Sequence, residues 1–250
     1  MVRQIVLHIG THKTGTTSLQ QFLRDHADTL LAAAGVDYPS GLVIPTAHAE
    51  LPLLAVRPER LWPARIRLPE TQLPAWLTAA ESHVRGLFRT ARHETVALSH
   101  EDLSYVRFDD ELARLRALLP AVSVHVVVFL RDKQSFLSSY RAQLAATGFE
   151  PSPDPTSYAY LEADSWLVDN DGLLDGYRRT FGAGSVEVFD YDAILERDRS
   201  VIPTVAERLG IPRASLPSLD PYVLNQTGAN LRPSDATVAA IRRRLARQAS

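Results

Sequence analysis

Two rhythms of apolar residues run along this chain. Gln4-Ile5-Val6-Leu7-His8-Ile9 is a short apolar run with the character of a buried strand. From Thr16, the residues Leu19, Phe22, Leu23, Ala27, Leu30 and Leu31 recur at helical spacing until Gly35 stops the pattern. Val36 to Pro39 predicts a second short strand, and Trp76, Leu77, Ala80, Val84, Leu87, Phe88 and Ala91 predict a helix before a strand at Thr95 to Ser99. Leu112, Leu115, Leu118 and Leu119 mark another helix, and Val122 to Leu130 is a β-branched run suited to a central parallel strand. The alternation repeats with Leu173, Leu174, Tyr177 and Phe181, then Val186 to Phe189, then Val201, Ile202, Val205 and Leu209. Such alternation predicts an α/β fold, a central parallel sheet of about five strands flanked by helices, with its ligand at the carboxyl ends of the strands.

The rest of the chain fits less regularly. Pro39, Pro45, Pro52, Pro58, Pro63, Pro69 and Pro74 mark an irregular, surface-lying stretch whose Arg57, Arg60, Arg65 and Arg67 read first as solvated, second as facing an acidic or sugar-like acceptor. A last helix carries Val238, Ile241 and Leu245 on one side and Arg242, Arg243, Arg244 and Arg247 elsewhere, cations favoured by the negative helix end. No repeat or linker divides the sequence, so residues 1–250 read as a single domain.

Composition narrows the chemistry. The formal net charge is −2, so no global field draws in nucleic acid, and an anionic ligand must be held by a few placed cations. No apolar run is long enough to span a bilayer and the first strand begins almost at Met1, which predicts a cytoplasmic protein without an integral membrane segment. Cysteine is absent and the eight histidines show no metal-ligand spacing, so no metal is expected.

The most specific segment joins the first strand to the first helix: His8-Ile9-Gly10-Thr11-His12-Lys13-Thr14-Gly15-Thr16-Thr17-Ser18. A small-residue loop at a helix N-terminus offers unpaired backbone N–H groups and the positive end of the helix dipole to an anion. Lys13 is one of only two lysines, beside Lys133, among 27 basic residues. An ammonium is a compact point charge that a tight loop accepts where a planar guanidinium does not fit. Gly10 to Thr17 follows the frame of the triphosphate loop G-x-x-x-x-G-K-[ST], but Thr16 stands at its lysine position, so the charge is aimed at a different part of the ligand.

Lys13-Thr14-Gly15-Thr16-Thr17 resembles the 5′-phosphosulfate loop of the sulfotransferase family, and the longer run through Gln20 is similar to its bacterial members. The resemblance implies a P-loop-like three-layer fold and 3′-phosphoadenosine-5′-phosphosulfate as donor. Lys13 would then lie at the bridging oxygen that leaves with the phosphate, and Thr14, Gly15, Thr16, Thr17 and Ser18 would line the loop. It also implies a 3′-phosphate clamp made by an arginine at a strand end and a serine eight residues later. Arg131 and Ser139 have that spacing, and the planar fork of arginine suits a phosphate. Tyr191-Asp192 resembles a stretch in which family members pack the tyrosine against adenine, and an ordinary buried tyrosine is the other reading of Tyr191. The C-terminal donor contact of the family has no clear match; Arg232 lies in its region.

Transfer to a hydroxyl or amine also needs a base. Ser99-His100-Glu101-Asp102 at the end of the third strand offers His100 and Glu101, of which Glu101 is favoured by resemblance to bacterial relatives. His12 is a lesser candidate, able to touch donor or acceptor or to brace the loop. The expected function is sulfuryl transfer to a small-molecule or glycan acceptor. The alternatives are a small-molecule kinase using ATP and magnesium, which the residue at Thr16 disfavours, and a non-catalytic nucleotide-binding protein.

Overall fold

The structure, a computed structural model, describes residues 1–60 and 73–222. Five strands, β1 (Gln4–His8), β2 (Val36–Asp37), β3 (Thr95–Ser99), β4 (Ser123–Leu130) and β5 (Val186–Asp190), form one sheet in the order β2-β3-β1-β4-β5. Every pairing is parallel; Leu7 lies opposite Leu98 on one side and Val126 on the other. From β1 the chain crosses outward to β2, and from β4 it crosses the other way to β5. The switch point, where an open parallel sheet leaves a crevice for a ligand, therefore lies between β1 and β4.

Alternation along the strands divides the core. Ile5, Leu7, Val96, Leu98, Val124, Val126 and Val128 face one apolar cluster, while Val6, Ala97, Val127 and Phe129 face the other. The first cluster is covered by α3 (Glu50–Ala55), α4 (Leu73–Arg89), α5 (Asp109–Leu118), α6 (Lys133–Thr147) and α7 (Asn170–Phe181). The second is covered by α1 (Thr16–Asp25), α2 (Ala27–Ala34), α8 (Tyr191–Asp198) and α9 (Ile202–Arg208). Three layers result, in agreement with the α/β fold expected from the periodicity.

Two expectations are corrected. The stripe from Thr16 to Leu31 is two helices rather than one, because His26 (φ −106°, ψ 17°) leaves the helical region with its ring against Phe22 and its Nε2 3.1 Å from the Tyr222 hydroxyl. The proline-rich stretch is not all irregular or surface-lying. Glu50–Ala55 is a helix that takes Pro52 in its first turn, where no intrahelical N–H is needed, and it buries Leu51, Leu53 and Ala55. Arg57 and Arg60 are not free surface cations either: both clamp α5, Arg57 through the partly exposed Asp110 and Arg60 through the buried Glu111. Arg65 and Arg67, Arg232 and the helix expected around Val238 to Leu245 lie outside the described residues.

Caps place the helix starts. Asp132 and Asp190 stand at the carboxyl ends of β4 and β5, and their side chains accept from the backbone N–H of Ser135 (2.9 Å) and Ala193 (3.0 Å). Gly15, left-handed at φ 74°, opens α1 after β1. The N-terminal ends of α1, α6 and α8 thus stand at one edge of the sheet, each contributing partial positive charge there.

Candidate functional site

The loop after β1 is shaped by backbone conformations that few residues adopt. At Gly10 (φ 36°) a Cβ would lie 3.0 Å from Thr16 Oγ1 and 3.2 Å from His8 Cε1, so a side chain has no room. Lys13 is itself left-handed (φ 65°), which costs a non-glycine residue roughly 1–2 kcal/mol. Hydrogen bonds hold the turn: the Thr14 hydroxyl donates to the Thr11 carbonyl (2.6 Å), and the Thr11 hydroxyl donates to the Phe129 carbonyl on β4 (3.0 Å). Thr14 is fully buried, with its hydroxyl spent inside the loop, which leaves its backbone to face a ligand. Thr16 Oγ1 is buried without a hydrogen-bond partner, Ser18 is buried and Thr17 is exposed. An unpaired buried hydroxyl at a helix N-terminus suits an anionic oxygen, and leaving it unpaired is costly.

The cationic residue at the end of β4 stands close by. Arg131 Nη1 donates to Ser139 Oγ at 2.9 Å, one arginine–serine pair across the first turns of α6. Its Nε is buried and makes no hydrogen bond; the nearest carboxylate oxygen, Asp192 Oδ1, is 3.6 Å away. The guanidinium sits 5.5 Å from the centre of the Tyr191 ring, and that ring in turn passes 3.8 Å from the point a Cβ would occupy on Gly15. Lys13 belongs to the same electrostatic neighbourhood, since burial first and the charge of Arg131 second pull its ammonium below the usual lysine range. Two cations that repel each other across the switch point, with donors left unpaired beside them, form a site suited to an anion.

The edge of β3 completes the arrangement. The His100 N–H donates to the His8 carbonyl at 3.2 Å, after which Glu101–Tyr105 forms a 3-10 turn. His100 is buried, and its Nδ1 accepts from the Asp102 N–H (3.0 Å), so in the neutral ring the proton sits on Nε2. Glu101 is half-buried; its Oε2 accepts from Gln20 Nε2 at 3.1 Å, and its Cα lies 3.5 Å from the point a Cβ would occupy on Gly10. Glu101 is therefore at the foot of the loop, while His100 is occupied as a cap. Among the described residues no group of three His, Cys, Asp or Glu is placed to hold a metal ion, and no helix is long and apolar enough to cross a membrane.

Several participants have no signature in the sequence that singles them out. Gln20 also reaches Ser99 Oγ (3.3 Å), which contacts His8 Nδ1 (2.8 Å), so a polar network runs beneath the loop. Its one signal is position: Gln20 falls four residues after Thr16, on the buried side of α1 with Leu19 and Leu23. Asp102 lies 3.1 Å from His12 Nε2, and His12 packs between Tyr105 and Tyr140, a contact no local pattern announces.

No family model matches the sequence, and no match to a curated protein was found. Solved structures do match. A sulfotransferase from Alicyclobacillus acidocaldarius aligns over 100% of this chain and 96% of its own at 17% identity and a TM-score of 0.55. A sulfotransferase domain from the curacin biosynthetic pathway aligns over 85% of this chain and 75% of its own (16% identity, TM-score 0.47). A sulfotransferase domain from the Synechococcus PCC 7002 olefin synthase aligns over 100% and 95% (14% identity, TM-score 0.47). With its central parallel sheet of five strands flanked by helices, this chain has the P-loop-like α/β fold, and it aligns in structure with the Alicyclobacillus sulfotransferase over its whole length.

Proposed function

We propose that this protein is a sulfotransferase that uses 3′-phosphoadenosine-5′-phosphosulfate to sulfate a hydroxyl or amine of a small-molecule or glycan acceptor. The observation that carries the reading is the pair of cations at the switch point: Lys13 in the β1 loop and Arg131, bonded to Ser139, with an Nε that makes no hydrogen bond and has Asp192 Oδ1 at 3.6 Å. They come from two neighbouring strand ends, as two cations that meet different phosphate-type groups of one nucleotide would. A loop whose lysine stands two residues before the second glycine is built differently from one that grips a β,γ-triphosphate.

The donor supplies an activated sulfuryl group. Its bond to the 5′-phosphate oxygen breaks as a bond to the acceptor oxygen or nitrogen forms, and 3′-phosphoadenosine-5′-phosphate leaves. Lys13 and the N–H groups at the start of α1 neutralise the charge that develops on the departing phosphate. Arg131 and Ser139 hold the 3′-phosphate, and Tyr191, beside Arg131 and Gly15, offers its ring to the adenine. Glu101 takes the acceptor's proton. His100 ranks behind it because the nitrogen that would accept a proton already accepts from the Asp102 N–H. The chain works on this account as one cytoplasmic domain.

The test is transfer of labelled sulfate from the donor to a panel of phenols, alcohols, sugars and amines. We expect turnover with at least one class, and a loss on the order of 100- to 1000-fold in Lys13→Ala with an unchanged circular dichroism spectrum. Near-normal turnover of Lys13→Ala would remove the assignment.

A further inference from the structure

Lys13 holds a left-handed backbone although it carries a side chain, and such a conformation persists only where the surroundings over-determine it. The residue after it, Thr14, is fully buried and tied to Thr11. The residue before it, His12, is 8% exposed and has no role assigned in the transfer described above. Its ring stacks on Tyr105 (4.9 Å between centres, 28° between planes) and tilts against Tyr140 (5.2 Å, 56°). Those two tyrosines are themselves buried and joined hydroxyl to hydroxyl at 2.5 Å. Tyr105 ends the 3-10 turn after β3 and Tyr140 belongs to α6, so the imidazole is wedged between the two elements that flank the loop. Asp102 Oδ1 closes the third side at 3.1 Å from Nε2, a close contact without the alignment of a hydrogen bond.

We propose that His12, wedged between Tyr105 and Tyr140 and held by Asp102, is a positioning residue that fixes the left-handed turn at Lys13 and so aims its ammonium at the 5′-phosphate. The proposal rests on the reading of the loop as a nucleotide site. With His12 fixed on one side and Thr14 on the other, the peptide units flanking Lys13 cannot rotate. Without the wedge, Lys13 relaxes to a right-handed or extended conformation that is lower in local energy, and its side chain leaves the neighbourhood of Arg131. His12 then acts on the ligand only through Lys13, which distinguishes it from a residue that merely supports the fold.

Calorimetric titration of the full chain with 3′-phosphoadenosine-5′-phosphate decides the matter as a double-mutant cycle. His12→Ala is expected to weaken binding about tenfold when Lys13 is present, and by less than about twofold when Lys13 is already alanine. Asp102→Asn, which preserves shape, is expected to weaken binding about threefold, again only with Lys13 present. The same tenfold loss on both backgrounds, or unchanged affinity in His12→Ala, overturns the proposal; unchanged affinity in Asp102→Asn removes Asp102 from it. If His12→Ala does not fold, the Asp102→Asn cycle decides alone, and additivity there is the overturning result. Failure of the unmutated protein to bind this nucleotide is a separate outcome that brings down the functional reading itself, and the proposal with it.

Discussion

At the scale of single residues, the loop is governed by what it excludes. A methyl group on Gly10 would press on Thr16 Oγ1 at 3.0 Å and force an alanine into positive φ. Gly10→Ala is therefore expected to cost about 1–2 kcal/mol of stability, measured by urea unfolding, and to weaken nucleotide binding as Thr16 shifts. Lys13, Gly10 and Gly15 are legible in the sequence because their chemistry is local: a strand, a short small-residue loop and a helix start, all within a short stretch of backbone. Gln20 and Asp102 are not. Gln20 matters through Glu101, 81 residues away, and Asp102 through a ring in another loop; neither contact leaves a periodic or composition signal.

At the scale of elements, the site depends on what caps each helix. Asp132 sets the first turn of α6, and the next turn presents Ser139 to Arg131. Arg131→Lys keeps the charge and loses the planar fork, so it is expected to weaken 3′-phosphoadenosine-5′-phosphate by about tenfold while leaving 5′-AMP, which lacks the 3′-phosphate, nearly unaffected. Equal losses for both nucleotides, read by calorimetry, would move Arg131 away from the 3′-phosphate. The eight-residue spacing of this pair is legible in the sequence because it spans one strand end and one helix. Helix ends are harder to read. The break at His26 depends on Phe22 and on Tyr222, which lies 196 residues further on, and the helix at Glu50–Ala55 hides in a proline-rich stretch because its proline sits where a helix tolerates one.

At the scale of the whole molecule, the sheet is readable because buried parallel strands are continuous apolar runs, whereas the order β2-β3-β1-β4-β5 follows from long-range pairing. The buried ionisable groups add a pH signature. Desolvation pushes His8 and His48 down to about 3 and Glu50 up to about 7. Below their usual value near 6.5 the unfolded chain protonates both histidines while the fold keeps them neutral; over the same range down to the usual glutamate value near 4.5 the fold holds one proton, on Glu50, that the unfolded chain lacks. The unfolded chain thus binds about one proton more, so stability is expected to fall by about 1.4 kcal/mol per pH unit between about pH 6.5 and 4.5, and more steeply below. Urea unfolding across that range checks this, and a flat profile contradicts it. The central claim is that Lys13 and Arg131 together form a site for a nucleoside carrying a 5′- and a 3′-anion. Its most direct measurement is calorimetry of the unmutated chain with 3′-phosphoadenosine-5′-phosphate, 5′-AMP and ATP with magnesium. The account predicts that the first binds at least about tenfold more tightly than either of the others; tighter binding of ATP with magnesium would contradict it.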